Sequence, residues 1–448
     1  MFELHETQMF MYFLDRQGIG QVCLLCGSVL LPGKTNVADM QRAANEVLRI
    51  NDGLRTRFIE KEGRVYQETR PYAEREFEVM HFADRESFHK WARTYATIPL
   101  KLDKVVDGSL PPSTWRRERP SAILTLNLAA HQVGMLFTRA RYGALKREPS
   151  CFDMKLIVLP DACGAIVKLH HVIADGWTVL LVANQFVRCL HGELPQAYCY
   201  EDFIKREAEY VKSERYERDC RFMEDQYRLC PEPTWVWPQP HTSLRGSRET
   251  VEMDAESSRR IREYAGSHGL TPYTLFLTAM CVYIRRKLRR ETFYVGSVIF
   301  NRAGVRERNT AGMFVRFPPL LIQLRGTDSF ADALVQVRDR SFSGYRHQKG
   351  AVRTHDWNKL LYDVWVSYQD RTLEADTQAE CTQYYCNYSI DTSILTIEDG
   401  AGQGPFTLHF DHNEKVKRSE VEELFRVVLG VLTQGIGDDG QPLSALCP

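Results

Sequence analysis

Residues 153–192 restrict the fold more than any other segment. They contain two apolar runs joined by a turn, and an amphipathic run follows directly. Residues 153–171, "DMKLIVLPDACGAIVKLHH", contain two apolar runs around a turn at 160–164, which predicts a β-hairpin. Beyond Gly176, apolar residues recur with helical spacing as far as Gly192, so a helix is predicted there. A hairpin that leads directly into a helix requires strands and helices to share one core.

The remaining chain repeats this mixture of elements. Helical patterns begin at Asn36, which can act as an N-cap, and at Phe330, and one long charged helix is predicted over 200–230. Two further helices are predicted between 257 and 290. Strands are predicted in "QVCLLCGSVLL", "GRVYQET", "TFYVGSVIFNR", "RFPPLLIQL", "YDVWVSYQD" and "GPFTLHFDHN". Because 448 residues exceed one compact core, we predict an α+β (mixed α/β) fold in two lobes, residues 1–196 and 197–448.

Residues 108–150 do not fit this pattern. The segment is rich in basic residues and has weak periodicity, which favours a surface insertion in the first lobe. A local basic contact surface, or a frameshift or unspliced stretch in the gene, are the alternatives.

Composition argues against several classes of partner. The 58 basic and 58 acidic residues balance, so no global field attracts nucleic acid or a membrane. No apolar run is long enough to predict a membrane span, and the opening "MFELHETQMF" lacks signal-peptide features.

The scattered cysteines are typical of a reducing cytoplasm. Cys23 and Cys26 have CxxC spacing but no second pair, which favours core packing over a metal or redox site.

The stretch "KLHHVIADGWT" combines the residues best suited to chemistry. Neighbouring strand side chains point to opposite faces, so only one of His170 and His171 is expected to face a cleft. A neutral imidazole can accept a proton near neutral pH. Asp175 follows closely, and Gly176 allows substrate to approach the backbone. A metal site would need Asp175 as third ligand, which the opposed histidines disfavour, so none is predicted. Two purely structural histidines remain the alternative.

The motif at residues 170–176 resembles that of a known enzyme family. "HHVIADG" resembles the HHxxxDG signature of the condensation domains of nonribosomal peptide synthetases, which belong to the chloramphenicol-acetyltransferase-like superfamily. Other family motifs are resembled by "LHETQMFMYFL" (with Gln8 in place), "NDGLRTRF", "YEDF", "VGSVIFNR", "AGMFVRFPPLLIQL" and "YDVWVSYQD". Two departures stand out: the usual proline before the opening motif is missing, and Arg316 replaces an asparagine.

The resemblance implies a fold and a reaction. Two acetyltransferase-like lobes form a V-shaped pseudo-dimer with the active site in a tunnel between them. A donor carrier domain presents an acyl thioester on phosphopantetheine, and an acceptor carrier presents an amine. Amide formation releases the donor thiol. The domain binds no cofactor itself, and the ending "GQPLSALCP" resembles the approach to an adjoining adenylation domain.

The resemblance also implies a role for each residue of the motif. His171 takes a proton from the amine, or orients the amine and stabilises the tetrahedral intermediate. His170 supports the turn, and the Gly176 backbone lies near the thioester oxygen. Asp175 forms an ion pair with an arginine, for which Arg55 and Arg302 are both candidates.

Two alternatives remain open. One is a starter or free-standing acyltransferase that uses acyl-CoA, since the chain begins close to the first motif. The other is a catalytically silent module that only binds carriers, which the retained histidines disfavour. No epimerase-specific motif is evident, and heterocyclisation domains carry aspartates in place of the histidines.

Overall fold

The computed structural model describes residues 1–106, 149–237, 243–350, 361–370, 376, 378–389, 392–400, 402 and 404–446. The predicted insertion at 108–150 lies outside these residues, apart from its last two. The helices of the described residues are α1 Glu6–Leu14, α2 Val37–Ile50, α3 Arg85–Ala96, α4 Gly176–Leu190, α5 Tyr200–Tyr210, α6 Glu214–Leu229, α7 Ala255–Ser267, α8 Pro272–Leu288, α9 Val305–Arg308, α10 Phe330–Arg346 and α11 Arg418–Gly437.

The strands in the described part of the chain are β1 Phe2–Glu3, β2 Leu24–Pro32, β3 Thr56–Lys61, β4 Arg64–Thr69, β5 Val79–His81, β6 Lys104–Val106, β7 Phe152–Val158, β8 Ala162–His170, β9 Gly246–Glu252, β10 Thr292–Ser297, β11 Pro319–Gln323, β12 Val364–Asp370, β13 Glu380–Tyr384, β14 Ser393–Asp399 and β15 Phe406–Asn413. The mixed α/β class predicted from the sequence is confirmed. None of the described helices is both long and apolar enough to span a membrane.

The chain folds into two compact units, and the first unit includes segments from the second half of the chain. The first consists of residues 1–212, 301–315 and 373–388; the second consists of 213–300, 316–372 and 389–448. The first unit therefore extends beyond the boundary predicted at residue 196, because α5 packs against β1. It also takes in two segments from the second half of the chain, which no local pattern in the sequence indicates.

The described residues of the first unit form two sheets. One has the strand order β13-β2-β8-β7-β5 and the other β1-β4-β3-β6. The predicted hairpin is confirmed as β7 and β8, which pair antiparallel with Asp153 opposite Lys168. All nine residues of β8 are buried, because β2 and β7 cover both of its edges and α4 packs on it.

Helices α2 and α4 pack against one another in the first unit. The predicted cap of α2 is confirmed, since the Asn36 side chain accepts a hydrogen bond from Ala38 N at 2.9 Å. The buried stripe of α2 includes Met40, Val47 and Leu48, the spacing expected for one apolar face.

The second unit is built on a six-stranded sheet with the order β11-β10-β12-β14-β15-β9. Helix α8 belongs to the hydrophobic core of this unit and packs against α7, α10 and α11. Its residues 274–284 are all buried, as expected of a helix covered on every side. The prediction of one long helix over 200–230 is wrong: the helix breaks between α5 and α6, where Ser213 caps α6 by accepting from Tyr216 N at 3.2 Å.

Candidate active site

The two histidines lie at the junction between β8 and the turn that leads to α4. His170 is the last residue of β8 and is fully buried, whereas His171 begins the turn and is half-buried. The turn is fixed on both sides, because His171 N donates to Cys23 O at 2.7 Å and Ile173 N donates to His170 O at 3.0 Å. Only His171 is accessible to solvent, which is the asymmetry expected of adjacent strand residues.

His170 has the contacts of a structural residue. Its Nδ1 accepts a hydrogen bond from Val172 N at 3.1 Å, so a neutral ring carries its proton on Nε2. The Asp15 Oδ1 atom lies 3.8 Å from that Nε2. The ring therefore braces the turn through Nδ1, with the Asp15 carboxylate beyond hydrogen-bond distance on its other side.

His171 is placed to remain neutral near neutral pH. Burial lowers the pKa of its imidazole below the ordinary 6.5, and the Asp175 carboxylate opposes that shift. Hydrogen bonding to the main chain at His171 and Ala174 also opposes the lowering of this pKa. A neutral imidazole of this kind can accept a proton or a hydrogen bond from an amine.

Asp175 fixes the start of α4 as its N-cap. Its Oδ1 accepts from Thr178 N and from Thr178 Oγ1, both at 2.9 Å. Its Oδ2 accepts from Phe314 N at 3.1 Å. The side chain is fully buried, so it acts on the backbone of the turn rather than on solvent. Gly176, the first residue of α4, is half-buried.

Of the two candidate arginines, Arg302 is the one that pairs with Asp175. Its Nη2 lies 2.9 Å from Asp175 Oδ1 and 3.0 Å from Oδ2, and both side chains are fully buried. Burial lowers the pKa of Arg302, and Asp175 opposes the shift. Arg55 instead donates to the main-chain carbonyls of Leu48 at 3.1 Å and Arg70 at 2.5 Å.

Arg302 makes further contacts with residues 310–314. Its guanidinium donates to Thr310 O at 2.6 Å and Gly312 O at 3.1 Å, and it lies 3.9 Å from the centre of the Phe314 ring. The segment 301–315 is therefore attached to the start of α4 by a dense polar network.

Three motifs that are distant in sequence meet beside this network. Asp52 Oδ1 accepts from Tyr200 N at 2.7 Å, and the Tyr200 hydroxyl donates to Met313 O at 2.8 Å. A Cβ at Gly312 would lie 2.1 Å from the Tyr200 ring, so only glycine allows this close packing. The "NDGLRTRF", "YEDF" and "AGMFV" stretches thus form one support for the Asp175–Arg302 pair.

Sequence reasoning missed Thr178. Its hydroxyl donates to Asp175 Oδ1, accepts from Gly312 N at 3.1 Å and lies 2.8 Å from Gly312 O. The signal was present, because a hydroxyl residue three positions after an N-cap aspartate is well placed to join its hydrogen bonds. The bonds to Gly312 could not be read from local sequence.

The CxxC pair belongs to the interior. Cys23 and Cys26 are both buried, and burial raises the pKa of each thiol, that of Cys26 to about 12. Protonated thiols of this kind are poor nucleophiles and poor metal ligands. The described residues contain no group of three or more His, Cys, Asp or Glu side chains arranged to hold a metal ion.

A comparison with protein families decides the family. The model of the condensation domain matches residues 145–444. The chain belongs to the condensation-domain family. Members of this family are acyltransferases that form amide bonds in nonribosomal peptide synthesis, so the expectation drawn from the HHxxxDG resemblance is confirmed at this level.

Curated relatives are much longer than this chain. Bacitracin synthase 2 of Bacillus licheniformis is 21% identical over 328 residues, which cover 72% of this chain and 11% of that protein. Tyrocidine synthase 3 of Brevibacillus parabrevis is 22% identical over 451 residues, covering 96% of this chain and 6% of that protein. The chain thus corresponds to a small part of each of these synthases.

Solved structures share the fold along the whole chain. The first condensation domain of the calcium-dependent antibiotic synthetase, in complex with a substrate analogue, matches with a TM-score of 0.77 at 15% identity, covering 100% of this chain and 98% of that one. The starter condensation domain of rhizomide synthetase in complex with C8-CoA matches with a TM-score of 0.77 at 16% identity, covering 99% and 97%. These matches establish the condensation-domain fold.

Proposed function

We propose that this chain joins a carrier-bound acyl or peptidyl thioester to an amine carried by a second carrier domain. The observation that carries the proposal is the placement of His171 within a family of amide-forming enzymes. It is half-buried, its pKa is lowered by burial, and its turn is braced by the buried Asp175–Arg302 pair.

In the proposed reaction, the amine nitrogen attacks the thioester carbonyl carbon. A C–N bond forms, the C–S bond breaks, and the amine proton leaves for the departing thiolate, which becomes a free thiol. Neutral His171 accepts or orients that proton. The Gly176 N–H at the start of α4 offers a donor for the oxygen that gains negative charge.

The roles of the other residues follow from their contacts. His170 and Asp175 are positioning residues, because both are fully buried and bond to the backbone of the turn. Arg302 pairs with the Asp175 carboxylate and holds it in place. We propose that Arg55 plays no part in this pair, since its hydrogen bonds go to main-chain carbonyls elsewhere.

The proposed partners are a donor carrier and an acceptor carrier, each with a phosphopantetheine arm, and an adjoining adenylation domain. The relatives support this, because they are named as bacitracin and tyrocidine synthases and are far longer than this chain. The domain itself needs no bound cofactor for this chemistry, and we propose that it works in the cytoplasm. We also propose that the two compact units are the acetyltransferase-like lobes.

A single-turnover assay tests the proposal. Purified protein is mixed with an acyl-loaded donor carrier and an aminoacyl acceptor carrier, and the condensed product is sought by intact mass. Wild type should form product, and His171→Ala should fold normally but lose turnover. His191→Ala removes a more exposed histidine at the far end of α4 and should retain activity.

The other outcomes separate the alternatives. Product that forms only when acyl-CoA replaces the donor carrier would indicate a starter-type acyltransferase. An absence of product across several acyl and aminoacyl pairs, together with measurable carrier binding, would indicate a silent binding module and overturn the proposal.

A further inference from the structure

A buried pair of side-chain amides lies beneath the histidine turn. Gln8 of α1 is fully buried, and Gln67 of β4 is nearly so. The two exchange hydrogen bonds, with Gln8 Nε2 3.0 Å from Gln67 Oε1 and Gln67 Nε2 2.8 Å from Gln8 Oε1. Such a reciprocal pair satisfies both amides without water.

The second N–H of Gln8 reaches the active-site turn. Gln8 Nε2 lies 3.0 Å from the carbonyl oxygen of Val172, the residue that follows His171. A carbonyl oxygen can only accept, so the atom of Gln8 that faces it must be the nitrogen. That requirement fixes the orientation of the Gln8 amide and, through the reciprocal bonds, that of Gln67.

The Gln8 bond completes a set of restraints on the turn. His171 N is held by Cys23 O at 2.7 Å, Val172 N by His170 Nδ1 at 3.1 Å, and Val172 O by Gln8. Cys23 and Gln8 both belong to the opening segment of the chain, so this segment holds the backbone on either side of the His171 α-carbon. The direction of the imidazole depends on that backbone.

We propose that Gln8 is a positioning residue for His171, acting through the carbonyl of Val172. The inference rests on the proposed function for its effect on rate, but its effect on the His171 ring can be measured without turnover. Gln8 is fully buried beneath the turn, so it acts through the backbone rather than on the reacting atoms. It determines how the imidazole is presented to them.

A matched pair of variants tests the bond to Val172. Gln8→Met and Gln67→Met replace each amide with an apolar side chain of similar length, and both destroy the reciprocal pair. Only Gln8→Met also removes the donor to Val172, together with the Gln8 Oε1 atom that accepts from His5 N at 3.4 Å at the start of α1; Gln8→Glu keeps a side-chain oxygen for that second contact. We expect the single-turnover rate at saturating carriers to fall about 10- to 100-fold in Gln8→Met, the scale of a displacement near 1 Å. In Gln67→Met it should fall at most about threefold, with KM for both carriers unchanged in either variant.

A third variant, Gln8→Glu, replaces the attraction between residue 8 and the Val172 carbonyl with repulsion when the carboxylate is ionised. In Gln8→Glu an ionised carboxylate would face the Val172 carbonyl, whereas the protonated acid could donate to it. Burial raises the pKa of such a carboxyl, so the rate of Gln8→Glu relative to wild type should rise as the pH is lowered. Circular dichroism at each pH confirms that both proteins are folded, and a lost helix cap or packing defect would give a flat ratio.

Histidine-selective ¹³C NMR supplies a readout that does not need turnover. The His171 ring resonance, assigned with His171→Ala, should shift in Gln8→Met and stay close to its wild-type position in Gln67→Met. If wild type forms no product but the ring shifts as expected, the proposed function fails and the positioning role stands. Equal rate losses in the two Met variants, a flat Gln8→Glu ratio, or an unmoved ring in Gln8→Met would each overturn the inference.

Discussion

Removing the Asp175 carboxylate should destabilise the protein far more than removing a surface carboxylate. In Asp175→Ala, Arg302 stays buried without its counter-ion, and Phe314 N loses its acceptor. Breaking a buried ion pair by deleting one partner costs about 3–5 kcal/mol. Arg302 retains the carbonyls of Thr310 and Gly312, which favours the lower end of that range.

This loss converts into a measurable melting shift. For a unit of this size, 1 kcal/mol corresponds to roughly 2–4 °C in Tm, so Asp175→Ala should melt roughly 6–20 °C below wild type. Differential scanning calorimetry at neutral pH measures the shift. The matched control is Glu193→Ala, which removes an exposed carboxylate 3.7 Å from Arg188 and should cost no more than about 1 kcal/mol.

If Asp175→Ala loses no more thermal stability than Glu193→Ala, Asp175 does not have the structural role described here. A carboxylate that is fully buried and accepts from Arg302, Thr178 and Phe314 cannot be dispensable if these contacts hold the turn. Loss of turnover alone would not test the point, because His171 depends on the same turn.

Further predictions concern pH and packing. Because burial lowers the pKa of His171 below 6.5, the neutral form persists into mildly acidic solution, and the acid limb of the rate–pH profile should have its midpoint below pH 6.5; a midpoint above that value contradicts the assignment. The same shift means that the unfolded chain binds the proton more readily, so wild type should lose stability relative to His171→Ala as the pH falls below 6.5. Gly312→Ala should cost about 1–3 kcal/mol by overpacking against Tyr200, measured by urea unfolding. Gly266→Ala, in an open position of α7, should instead be neutral or stabilising by up to about 1 kcal/mol.

Local elements were readable from the sequence because they depend on neighbours along the chain. The two apolar runs and the turn at 153–171 and the helical spacing after Gly176 determine β7, β8 and α4. The break between α5 and α6 was missed because continuous helical spacing masks a short interruption. Strand β13 was missed as well, since it forms by pairing with β2 across some 350 residues of chain.

The sequence alone was enough to place His170 and His171 at the end of an apolar strand, to place Asp175 near the start of the following helix, and to show the order of motifs of a condensation domain. It could not choose between Arg55 and Arg302. Ion pairing depends on distance through space, and only the tertiary structure brings Arg302 within 2.9 Å of a carboxylate 127 positions away. The hydrogen bond from Gln8 to Val172, 164 positions apart, likewise depends on distance through space and could not be predicted from the sequence.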